Sequence, residues 1–163
     1  MTHDQLTSLL SYDPTTGEFR WKTARPKVRV GNLAGYIKKP KGHVYIELCG
    51  KTYAAHRLAW FYVTGQMPEK CLDHINRKPA DNRFENLREA SHGQNRANSK
   101  NNNRHGLKGV RRLSWMKETD RCWQAQITHN KQVTYLGCFH TKEEAHSAYC
   151  DAARRLHGDF ANP

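Results

Sequence analysis

Asp73-His74-Ile75-Asn76, Asp81-Asn82-Arg83, Glu85-Asn86-Leu87-Arg88 and Gln94-Asn95 place a carboxylate, an imidazole and several amides in one short segment. That set can hold a metal ion beside a general base, the combination that phosphodiester hydrolysis requires. Residues 71–75 read as a short strand, 86–89 as its hairpin partner and 91–99 as a helix. A hairpin packed on a helix can bring Asp73, His74, Asn86 and Asn95 together.

The residue types assign the roles. The Asp73 carboxylate and the Asn95 amide oxygen are hard donors suited to Mg²⁺ or Mn²⁺, with waters and a phosphate oxygen completing the shell. Side chains alternate along a strand, so His74 points away from Asp73 and is placed to deprotonate an attacking water. Asn86 fixes the imidazole's tautomer by accepting from one ring N–H. Residues 77–83 read as a loop, which makes Asn82 a turn residue. His56 could approach the site, but on an apolar helix it reads first as a packing histidine.

The surrounding chain suits a polyanionic partner. Over 163 residues the formal charge is +12 and the sequence pI ≈ 9.7. Residues 1–103 carry 17 basic and 9 acidic side chains, and residues 104–163 carry 10 and 6, so both halves can touch a phosphate backbone. No apolar run is long enough for a bilayer, and the N-terminus carries no secretory pattern. Five cysteines with no C-x-x-C pair argue against a disulfide framework and a Cys-rich zinc site. A reduced, intracellular protein is expected.

Two patterned segments flank residues 97–106, which have almost no apolar content and read as a linker. Before it, Glu18-Phe19-Arg20-Trp21 and Val44-Tyr45-Ile46-Glu47-Leu48 read as strands. Gly50-Lys51 closes a hairpin, and residues 55–63 read as a helix stopped by Gly65 and Pro68. After it come strand-like runs at 108–113, 122–128 and 134–139. A helix follows, with Thr141 and Glu144 as its capping box. Phe139, Tyr149 and Leu156 are the expected core there.

With Ala55-His56-Arg57-Leu58-Ala59-Trp60 added, the ordered blocks across residues 15–100 resemble the His-Asn-His (HNH) nuclease family, in the subgroup that includes phage homing endonucleases. The resemblance implies a ββα-metal fold, DNA hydrolysis and Asn95 as a metal ligand. Lys108-Gly109-Val110-Arg111, Trp123-Gln124-Ala125-Gln126-Ile127, Tyr135-Leu136-Gly137-Cys138-Phe139 and residues 141–158 resemble the plant ethylene-response-factor (Apetala-2) DNA-binding domain. That resemblance implies a three-stranded sheet laid into the major groove with a helix behind it. Arg111, Arg112, Trp115, Trp123 and Gln126 are then the candidate DNA contacts. Trp115 and Trp123 read equally well as core.

The expected architecture is α+β: an HNH nuclease domain over 1–98, a linker over 99–106 and an Apetala-2-like domain over 107–163. The expected activity is metal-dependent, homing-type cleavage of double-stranded DNA, addressed by the second domain. It needs a divalent metal and neither a membrane nor a small-molecule cofactor. One site per chain points to a monomer that nicks, working in a bacterial or phage-infected host cytoplasm. The rival reading is a non-catalytic DNA-binding regulator that keeps the nuclease scaffold. An RNA-binding chain is the weakest reading, because neither half carries the motifs of the common RNA modules.

Overall fold

The computed structural model describes residues 1–99, 106–117 and 120–162. The chain divides into two compact units, Met1–Ala90 and Ser91–Pro163. Each is a mixture of helices and small antiparallel sheets. Most of the expected linker, residues 100–105, lies outside the described residues.

The first unit opens with α1 (His3–Leu9), whose N-terminus is closed by a capping box between Thr2 and Gln5. Strands β1 (Leu10–Asp13) and β2 (Glu18–Trp21) form a hairpin that buries Phe19 and Trp21 and exposes Arg20. A second antiparallel sheet orders β3 (Tyr36–Lys38), β4 (His43–Leu48) and β5 (Lys51–Ala54) consecutively. Helix α2 (Ala55–Thr64) follows directly and turns Leu58, Ala59 and Phe61 inward. It ends at Gly65, whose φ of 73° is the left-handed cap that glycine adopts without a Cβ clash.

Leu6, Leu10, Phe19, Ile46, Leu48 and Leu58 form one core, which Leu87 joins. Each such side chain contributes roughly 1.5–3 kcal/mol when fully buried. That core supports the last hairpin of the unit, β6 (Cys71–His74) paired with β7 (Leu87–Ala90). Between the strands, a 3₁₀ turn at Phe84–Asn86 sets Phe84 against Trp60 of α2, with ring centroids 5.3 Å apart.

The second unit begins with α3 (His92–Asn98), capped by a box between Ser91 and Gln94. Strands β8 (Val110–Arg112), β9 (Trp123–His129) and β10 (Gln132–Phe139) make a sheet of order β10-β9-β8. Helix α4 (Lys142–His157) packs on it through Ala145, Tyr149, Ala152 and Ala153, and Thr141 with Glu144 forms the expected capping box. Gly109 cannot be replaced easily, because a Cβ there would stand 1.9 Å from the Tyr149 ring. Lys108 explains why α3 belongs to this unit. Its Nζ donates to Ala97 O, to Ser99 O at 3.0 Å and to Asn162 O at 2.9 Å.

One core expectation is corrected here. Leu156 is 39% exposed, because the buried stripe of α4 ends at Ala153. No helix among the described residues is long and apolar enough to cross a membrane, and all five cysteines are free thiols.

Candidate active site

Strand alternation on β6 separates the two acid–base groups of the opening motif. Asp73 is buried and lies directly across from Arg88 of β7. The guanidinium places Nε and Nη2 each 3.0 Å from Asp73 Oδ2. A buried carboxylate needs such a partner, since an unpaired charge in that position is costly.

His74 occupies the opposite face and is 6% exposed. Its ring stands between two imidazoles from distant parts of the chain, His56 of α2 and His43 at the start of β4. Ring centroids are 5.1 Å apart for His56–His74, 5.6 Å for His43–His74 and 5.3 Å for His43–His56. One ligating nitrogen from each ring lies within 4.8 Å of the others. Burial lowers the pKa of all three rings, pushing His56 down to about 3. All three are therefore neutral imidazoles at neutral pH.

The amide beside His74 is that of Asn82, with its Oδ1 3.4 Å from Nε2. Asn82 is itself held firmly. Its Nδ2 donates to Ala80 O at 3.1 Å, and its carbonyl accepts from the Tyr12 hydroxyl at 2.8 Å. Burial raises the Tyr12 hydroxyl to about 12, so it stays a donor. Gly17 lies against the same backbone, where a Cβ would come within 2.6 Å of the Asn82 carbonyl carbon. An amide oxygen only accepts, so the contact favours the His74 tautomer with its proton on Nε2.

Asn86 does a different job. Its Oδ1 accepts from Asn76 N at 3.0 Å, and its Nδ2 donates to Asn76 Oδ1 and Asp81 O at 3.0 and 2.9 Å. Asn76 in turn donates through Nδ2 to Asp81 Oδ2 at 2.6 Å. Hydrogen bonds from Arg83 are the main reason the Asp81 carboxyl is lowered to about 2. These side chains lock the loop from 76 to 86, which carries Asn82 to His74.

Asn95 lies on α3 in the second unit and is half-buried. Gln94 secures that helix, accepting from Ser91 N at 2.8 Å while its own N–H donates to Ser91 Oγ at 3.2 Å. In the same unit Arg111 and Arg112 of β8 are exposed, and Trp115 is 75% exposed. Arg111 Nε donates to Gln124 Oε1 across the sheet at 2.7 Å. Trp123 packs partly against the core of Val110, Ala125 and Ala145, and Gln126 is half-buried on β9.

Sequence reasoning missed His43 entirely and gave Asn82 only a turn. The signal for Asn82 was its place in Asp81-Asn82-Arg83, between the two strands. His43 left no comparable signal, because it meets His74 only in the tertiary fold.

No curated protein matches this chain, and no solved structure does. Residues 53–97 match the family model described as HNH endonuclease. The stretch that carries His56, Asp73, His74, Asn82, Asn86 and Asn95 is thus similar to HNH endonucleases.

Proposed function

We propose that this protein is a metal-dependent DNA endonuclease of the homing type, in which His74 is the general base and the second unit addresses the DNA. One observation carries the reading. Within the HNH-matched segment, His74 is neutral, oriented by an amide and set on a rigid hairpin. A neutral imidazole can accept the proton of an attacking water, a role worth roughly 10²–10⁴-fold in rate.

Asp73 and Asn95 are the proposed ligands of the divalent ion, Mg²⁺ or Mn²⁺. Their donor set, a carboxylate with an amide oxygen, fits a hard ion. Bound there, such an ion would stabilise charge on the phosphate and the leaving oxygen. Arg88 holds the Asp73 carboxylate in place, and Asn86 holds the loop that delivers Asn82 to the base. The ββα-metal description of β6, β7 and α3, and the Apetala-2 likeness of the second unit, belong to the same proposal. Arg111, Arg112, Trp115, Trp123 and Gln126 are its proposed contacts. The net charge of +12 supports double-stranded DNA as substrate.

Incubation of the full chain with supercoiled plasmid, in Mg²⁺ and in EDTA, tests the reading. Nicked circles in Mg²⁺ alone are expected. Plasmid that is bound but uncut in every divalent ion would instead favour a DNA-binding regulator built on a nuclease scaffold.

A further inference from the structure

Three histidines from three elements converge in the first unit, and the proposed nuclease chemistry uses only one of them. Nδ1 of His43 and Nδ1 of His56 are buried without a hydrogen-bond partner among the described residues. Leaving a polar group buried and unsatisfied is unfavourable. Two such nitrogens beside a third imidazole therefore form a locally unfavourable arrangement, unless something binds their lone pairs.

A metal ion answers it directly. Neutral imidazole is the donor preferred by Zn²⁺, Ni²⁺ and Cu²⁺, while Mg²⁺ and Ca²⁺ require oxygen. The ligating nitrogens lie within 4.8 Å of one another. In a tetrahedral zinc shell with bonds of about 2.0–2.1 Å, neighbouring ligands stand about 3.3 Å apart. Small rotations of three rings cover that difference. Three nitrogens also leave a fourth position for water or another small ligand.

We propose that His43, His56 and His74 form a binding site for a late first-row transition ion such as Zn²⁺, and that occupancy silences cleavage by withdrawing the His74 lone pair. The silencing rests on the reading of His74 as the base; the binding site does not. The protein then has two metal preferences that oppose each other. Hard ions support cleavage, and a nitrogen-seeking ion stops it.

Titration of the full-length, metal-free chain with Co²⁺, followed by visible absorption, tests the site without reference to activity. One equivalent is expected to develop the d–d bands of a nitrogen-ligated ion, and Zn²⁺ is expected to remove them while millimolar Mg²⁺ does not. The bands should vanish in His43→Ala and in His56→Ala. Circular dichroism confirms folding, and His43→Ala carries the result if His56→Ala does not fold. No bands at stoichiometric Co²⁺, or bands retained in both variants, would overturn the site. An intense sulfur-to-cobalt band would overturn it too, by placing the ion on a cysteine.

Plasmid nicking in Mg²⁺, with and without one equivalent of Zn²⁺, tests the silencing. The ratio of the two rates should fall toward zero in the wild type and stay near one in His43→Ala, whatever that variant's own rate. Cleavage stimulated by Zn²⁺ overturns the silencing. No cleavage in Mg²⁺ alone, with the cobalt bands intact, sinks the nuclease reading and its silencing corollary while leaving the site standing.

Discussion

The first unit hides its chemistry and the second displays it. Asp73, His74, Asn82 and Asn86 are each 2–6% exposed, whereas Arg111, Arg112 and Trp115 face solvent. Burial favours a partner for each charged or amide group of the site, so Asp73 meets Arg88 and Asn86 ties Asn76 to Asp81, whereas Nδ1 of His43 and of His56 is buried without one among the described residues. A site built that way is rigid and pre-aimed, which suits bond-breaking chemistry. A surface of unburied arginines and an aromatic ring is adaptable and electrostatic, which suits holding a polyanion. Burial in the first unit and exposure in the second are separated along the chain, as the proposed division of cutting and addressing requires.

Removing Arg88 should break this contrast most severely. In Arg88→Met the Asp73 carboxylate keeps its burial and loses the guanidinium that stands against it. Loss of about 3–5 kcal/mol of stability is expected, read by urea denaturation. A change below 1 kcal/mol would show that Asp73 is solvated and not part of a closed polar interior.

Acid should produce the next largest effect. Burial holds His56 near 3, while in the unfolded chain it titrates near 6.5. The unfolded state therefore takes up protons first. The stability contributed by the neutral trio is fully present above about 6.5 and is lost as pH falls toward 3. Thermal melts between pH 7 and 4 should show that loss, and His56→Gln should flatten it. An equally steep acid loss in the variant would assign the sensitivity elsewhere.

The smallest stability effect belongs to the second unit. Trp115→Ala and Arg111→Ala should leave stability within about 0.5 kcal/mol, as surface changes usually do. Both should weaken DNA binding, and Arg111→Ala should reduce the salt slope by about 1 if it contacts a phosphate. Wild-type affinity in both variants would remove β8 and its following loop from the DNA interface. Point variants are the right tools here. Deleting the residues after 103 would also remove Lys108 and Asn162, which hold the C-terminal end of α3, the helix that bears Asn95.

Much of this organisation was legible in the chain. Asp73 and His74 occupy adjacent strand positions, so alternation alone placed them on opposite faces, as β6 does. The capping box at Thr141 and Glu144 marked α4, and Gly65 marked the end of α2. Helix α1 was equally open to that reasoning through Thr2 and Gln5, but residues 1–9 lack a long apolar period. What stayed hidden was tertiary. Asn82 reaches His74 because Tyr12 and Gly17, far away in the sequence, fix its backbone. His43 joins His56 and His74 only through the tertiary fold, which brings the start of β4 against α2 and β6. The α4 pattern continued to Leu156, while the packed stripe stopped at Ala153.

The central claim is that the buried His74 does the cutting and Asn82 orients it. Side-by-side plasmid nicking by wild type, His74→Ala and Asn82→Ala tests it most directly, with DNA affinity measured for each. His74→Ala should bind DNA like the wild type and cut roughly 10²–10⁴-fold more slowly. Asn82→Ala should lose roughly 10–100-fold, the usual cost of removing a group that orients a functional histidine. Undiminished nicking by His74→Ala would contradict the account.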